Sequence, residues 1–230
     1  KNLGNSAGAS GKVLHTGDID VSALAYGAEQ GLVVVSGELV GVSGSISARG
    51  ASGADGGNVL ISSTQRTVMT RSSLIDVSGD SSVGVVKDPF GGLATAGGGV
   101  SNGGTVVVWS DHATRFFGRI LGQGGSAGGD GGSAEVSGYG RLQYHGSTDL
   151  SAASGTRGTL LLDPEVLNFG VGAFDGNDNG DLLADEFTHN ASNTVLAADA
   201  TADPFTVFEN EIEADTNLVD YIFQAGTSIT

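Results

Sequence analysis

The residues with the clearest chemical content lie in FDGNDNGDLLADEF, Phe174 to Phe187. Counted from Asp175, they fit a twelve-position calcium loop, with Asp175 at 1, Asn177 at 3, Asn179 at 5, Gly180 at 6, Asp181 at 7, Leu182 at 8 and Glu186 at 12. Calcium takes about six to eight oxygen ligands, which closely spaced carboxylates, amides and one backbone carbonyl can supply. Glycine at position 6 allows the sharp turn, and a glutamate at position 12 closes the shell with both oxygens. Leu183 at position 9 has no ligating side chain, so a water would fill that place. The expected ligands are therefore Asp175, Asn177, Asn179, Asp181 and Glu186, and the expected cofactor is Ca2+. The competing reading is a plain turn, because Asn, Asp and Gly dominate turns in any case. The entering helix of such a loop is in doubt, since LNFGVGA carries two glycines, whereas LADEFTHN has the makings of a short exit helix.

Other candidate groups carry less. Asp20, Asp76 and Asp149 recur at equivalent places in a repeated pattern, and two carboxylates flanking a groove are what glycoside hydrolysis needs. The plainer expectation is a solvated outward row, because no aromatic or arginine cluster accompanies them. His15, His112, His145 and His189 are scattered and make no i, i+4 metal pair. Serine is too abundant for a Ser/His/Asp set to be read from spacing. GQGGSAGGDGG, from Gly122, lacks the Gly-Lys-Ser/Thr of a phosphate loop, and its glycines are expected to serve tight turns with positive φ. Trp109, Phe116, Phe117 and Tyr144 offer either a sugar-binding platform or stacked contacts inside a core. Asn190-Ala191-Ser192 is a glycosylation sequon, a short pattern of little weight by itself.

The elements that must position these groups are legible in the composition. Forty glycines and three prolines among 230 residues argue against helices, while 39% hydrophobic residues argue against disorder. The absence of cysteine removes disulfides and thiolate metal sites. A net charge of −16 argues against nucleic acid or anionic membrane surfaces as partners. No apolar run reaches the roughly 18 residues of a membrane helix, and KNLGNSAGASG has no signal-peptide character.

A glycine-led apolar pattern recurs as GLVVVS from Gly31, GNVLIS from Gly57, GTVVVWS from Gly104, GSAEVS from Gly132 and GTLLLDP from Gly158. A second pattern follows it as DIDVSA from Asp18, SISARG from Ser45, LIDVSG from Leu74, RILGQG from Arg119 and STDLSA from Ser147. Both keep a beat of 26 to 29 residues, and both stretch once, across Ser78 to Gly104. One insertion explains both gaps. Alternation predicts two inward ladders, Val33/Val35 through Leu160/Leu162 and Ile19/Val21 through Thr148/Leu150. A unit with three short strands cannot bury such faces alone, so stacked units are required. The expected fold is all-β, a parallel β-helix or solenoid. A β-sandwich is the weaker alternative, because it needs no fixed period.

Gly103 to Pro164, with WSD at Trp109–Asp111, EVSG at Glu135–Gly138 and LLLDP at Leu160–Pro164, resembles the repeat region of filamentous-haemagglutinin-like exoproteins of two-partner secretion systems. The likeness extends loosely upstream to about Gly11, and the tail TVFENEIEADTNLVDYIFQAGTSIT is also similar. The resemblance implies a right-handed parallel β-helix that is secreted or displayed at a cell surface, works in adhesion, and leaves the cell through an outer-membrane secretion partner. The family's NPNG-like secretion motif is not found, which implies an internal segment. The expected organisation is β-helix over 1–164, a linker with the calcium loop and a short helix over 165–215, and a strand resuming the β-helix over 216–230. The expected function is non-enzymatic: a structural and adhesive segment with a cell-surface receptor or glycan as partner, no nucleic acid and no membrane insertion. The alternatives are a carbohydrate-active enzyme, or a module capturing haem or a host protein through the 78–104 insertion.

Overall fold

The computed structural model describes residues 11–23, 29–51, 53–87, 92–170, 206–208 and 218–229. In chain order its strands are β1 (Lys12–His15), β2 (Asp18–Asp20), β3 (Leu32–Val42), β4 (Ser45–Ser47), β5 (Asn58–Met69), β6 (Leu74–Asp76), β7 (Val83–Lys87), β8 (Leu93–Gly97) and β9 (Thr105–Ser110). They continue with β10 (Ala113–Phe116), β11 (Arg119–Leu121), β12 (Ser133–Val136), β13 (Arg141–Tyr144), β14 (Ser147–Asp149) and β15 (Thr159–Leu162). The last four are β16 (Val166–Gly170), β17 (Thr206–Phe208), β18 (Asp220–Phe223) and β19 (Ser228–Ile229).

The two sequence patterns meet in register. Val33, Val59, Val106, Ala134 and Leu160 are successive parallel partners, and Tyr221 follows them. Ile19, Ile46, Ile75, Ile120 and Thr148 form the second ladder. Their apolar side chains, with Val77 and Leu150, make one continuous core, against which Ile19 and Tyr221 pack partly buried. Phe116 and Tyr144 stack inside it with ring centroids 5.3 Å apart, and the Tyr144 hydroxyl reaches Thr148 Oγ1 at 3.0 Å.

The glycine opening each unit has a packing reason. A methyl group on Gly104 would overlap the carbonyl oxygen of Gly57, and one on Gly158 would overlap that of Gly132. Positive φ belongs elsewhere: in GQGGSAGGDGG it is found at Gly128 and Gly129, as the turn reading requires.

The fold-class expectation is corrected. Three short strands per unit, divided by corners, would give the separate ladders of a β-helix. Instead β3 and β5 run unbroken for 11 and 12 residues and merge two of those ladders. Among the described residues the result is all strand, with one twelve-stranded and one five-stranded sheet, both parallel, and no helix. The insertion departs further, because β7 and β8 form an antiparallel pair outside both sheets.

The large sheet forks at β5. Its first half, Asn58–Ser63, pairs with β9, and its last residues, Arg66–Met69, pair with β10. The hydroxyls at the fork find different partners. Ser63 Oγ bonds Thr67 Oγ1 at 2.9 Å, which leaves the β5 backbone free to continue its ladder. The equivalent Ser110 turns its hydroxyl onto the backbone N–H groups of His112 and Ala113, at 3.3 and 3.2 Å. Bonds of this local kind compete with a ladder, and the same hydroxyl donates to Gln65 O at 2.9 Å across the fork.

Candidate ligand-binding cleft at the stacked corners

Beyond the fork, successive corners stack on one another through the backbone. Asp111 N–H donates to Ser63 O at 3.0 Å and Tyr139 N–H to Ser110 O at 2.9 Å. Glu165 N–H donates to Tyr139 O at 2.9 Å, and Thr227 N–H to Glu165 O at 2.7 Å. Five segments distant in sequence are thus joined into one wall, and a cleft of about 250 Å³ opens along the last four of them. Trp109 and Tyr139 supply its aromatic surface, while Asp163, Glu165, Gln224 and Thr227 supply its polar groups. Tyr139 is 65% exposed, far above the buried core rings. The Trp109 indole is held by its N–H, which donates to Asp111 Oδ1 at 3.0 Å. Glu165 is steadied by the Thr227 hydroxyl at 3.4 Å.

The set Trp109, Phe116, Phe117 and Tyr144, open to both a platform and a stacked-core reading, divides, and most of it goes to the core. Phe116, Phe117 and Tyr144 are buried, and Trp109 alone stays at the surface. Its partner Tyr139 lies in the corner SGYG, where two flanking glycines make it a turn residue. The alternation that finds strands gives no signal for it.

The aspartate row is present but is not a facing pair. Asp20, Ser47, Asp76, Leu121 and Asp149 are successive partners, so a neutral residue separates each carboxylate from the next. Each carboxylate is bound by the serine two residues on: Ser22 N–H at 2.9 Å, Ser78 N–H at 3.0 Å and Ser151 N–H at 3.1 Å. The Ser22 hydroxyl and then its N–H hold the Asp20 carboxyl below the ordinary aspartate value. Asp76 also meets Arg49 Nε at 3.5 Å. Asp149 is buried rather than solvated, and accepts from Gln123 Nε2 at 2.7 Å and Ser151 Oγ at 2.6 Å. These carboxylates brace turns. A larger polar concavity of about 410 Å³ beside them, lined in part by Ser78, Gln123 and Ser151, has those groups engaged in the same bracing.

The calcium loop, Asp175, Asn177, Asn179, Asp181 and Glu186, lies outside the described residues, as do His189 and Asn190. Among the described residues no group of three or more His, Asp or Glu is placed to hold a metal, and no helix is long and apolar enough to cross a membrane. Comparisons with protein families and with curated proteins returned no match.

Proposed function

We propose that the chain is a non-enzymatic, structural and adhesive segment of a large secreted or surface-displayed bacterial exoprotein. The observation that carries this reading is the stacked-corner wall, which presents Trp109 and Tyr139 from a backbone-bonded ladder. Rigid aromatic surface fixed on a scaffold suits binding without turnover, because it retains a ligand at little ordering cost. The two carboxylates of the cleft, Asp163 and Glu165, come from one corner of the chain and join the polar rim beside the rings. The resemblance of Gly103–Pro164 to two-partner-secretion exoproteins supports the same reading, with an outer-membrane partner for the full-length protein. Calcium at Asp175, Asn177, Asn179, Asp181 and Glu186 braces the joint between the strands before and after the loop.

Capture of a ligand by the 78–104 insertion is the second reading. It is favoured by the β7–β8 pair standing apart from both parallel sheets, with Val83 and Val100 exposed at its base.

Beads coated with the chain test the adhesive reading. Retention on a cell layer is expected to saturate and to be competed away by soluble chain. Retention no better than that of albumin-coated beads would overturn it.

A further inference from the structure

We infer that the Trp109–Tyr139 cleft is a subsite for one neutral pyranose ring, the terminal sugar of a surface glycan. This inference rests on the adhesive reading and adds to it the place and the class of ligand. Size, surface and charge each narrow the choice. Pockets for drug-sized ligands run from about 300 Å³ upward, so a cleft of about 250 Å³ takes one ring and not an extended oligomer. An aromatic face packs against the apolar C–H face of a pyranose, and the polar rim then meets its hydroxyls. Here that rim includes an amide (Gln224), a hydroxyl (Thr227) and two carboxylates (Asp163 and Glu165), which between them can accept from and donate to a polyol.

Charge excludes the acidic sugars. Among the described residues no lysine or arginine lines the cleft, its two carboxylates are negative, and the whole chain carries −16. A quaternary ammonium ligand would use the rings and the carboxylates but leave the Gln224 amide without a role. A hydroxyl-rich neutral ring uses all of them. The Trp109 ring is already fixed by Asp111, so its face is presented before the sugar arrives.

Trp109 is the only tryptophan in the chain, so its fluorescence reports on this cleft alone. The test titrates the intact chain with glucose, galactose and N-acetylglucosamine, and in parallel with glucuronate and tetramethylammonium. A saturable emission change with at least one neutral sugar is expected, with none from the other two. Tyr139→Ala and Gln224→Ala are each expected to weaken the response by about tenfold, the equivalent of about 1.4 kcal/mol. Both residues are exposed, so unchanged melting will show that the fold is intact. Silence of Trp109 toward all neutral sugars overturns the inference, as does a response to glucuronate or tetramethylammonium alone, or variants that bind as the parent does. Beads that adhere while Trp109 stays silent would remove this subsite and leave the adhesive reading standing. Sugar binding without adhesion would do the reverse.

Discussion

At the residue scale, the recurring Asp-x-Ser of Asp20-Val21-Ser22, Asp76-Val77-Ser78 and Asp149-Leu150-Ser151 is a turn device repeated with the strands. The aspartate oxygen takes the N–H two residues on and spares it from water or from a missing ladder partner. Because Asp20 is held below its ordinary value in the folded chain, its contribution is full above the unfolded aspartate value of about 3.9. It is lost as pH falls through the lower folded value. Ser22→Ala is therefore expected to raise the Asp20 titration midpoint toward the unfolded value, as followed by carboxyl NMR; an unmoved midpoint would contradict the assignment. Gly104 makes a sharper case. Gly104→Ala drives a methyl group into the Gly57 carbonyl, and an overpacked site costs typically about 1–3 kcal/mol. Chemical denaturation is expected to show a loss of at least that size, because the obstacle is backbone and cannot change rotamer.

At the element scale, the ladder Ile19, Ile46, Ile75, Ile120, Thr148 shows why periodicity was so informative. Inward residues one beat apart in sequence become direct parallel partners, so the register could be read from the repeats alone. Ile120→Ala is expected to cost about 2–5 kcal/mol, since Ile120 is fully buried between Ile75 and Thr148. Val83→Ser, at a 60% exposed position, is expected to stay within about 0.5 kcal/mol of the parent. Urea midpoints measure both. Corners were less legible. Ser63 and Ser110 occupy equivalent places in the repeat, yet one extends a strand and the other ends it. The difference lies in which partner each hydroxyl finds, and repeat spacing carries no trace of that. For this reason the three-strand unit does not hold throughout, and β3 and β5 each run through the corner that the repeat predicts. For the same reason Tyr139, a corner residue, gives no signal in the sequence, while Phe116 and Tyr144, on strands, follow the stacked-core reading.

At the scale of the whole molecule, two parallel sheets share one core, and their stacked corners form a wall whose rings and polar groups face outward. The charge of −16 over the chain makes a divalent cation the natural complement to the Asp175–Glu186 loop. If that loop braces the chain, its melting temperature is expected to rise with calcium and fall with chelator, because a ligand bound only by the folded state stabilises it by mass action. Glu186→Gln is expected to flatten that difference. Equal melting under both conditions would dismiss the brace.

The claim that the corner wall retains a ligand without transforming it meets its most direct test in one incubation. The intact chain is mixed with a panel of neutral polysaccharides, and bound polymer and newly formed reducing ends are followed together over time. The account predicts saturable retention of at least one polysaccharide, reduced by Tyr139→Ala, with the reducing-end count flat throughout. A reducing-end count that climbs in proportion to the amount of chain, and that Glu165→Gln abolishes, would make the cleft an active site and contradict it.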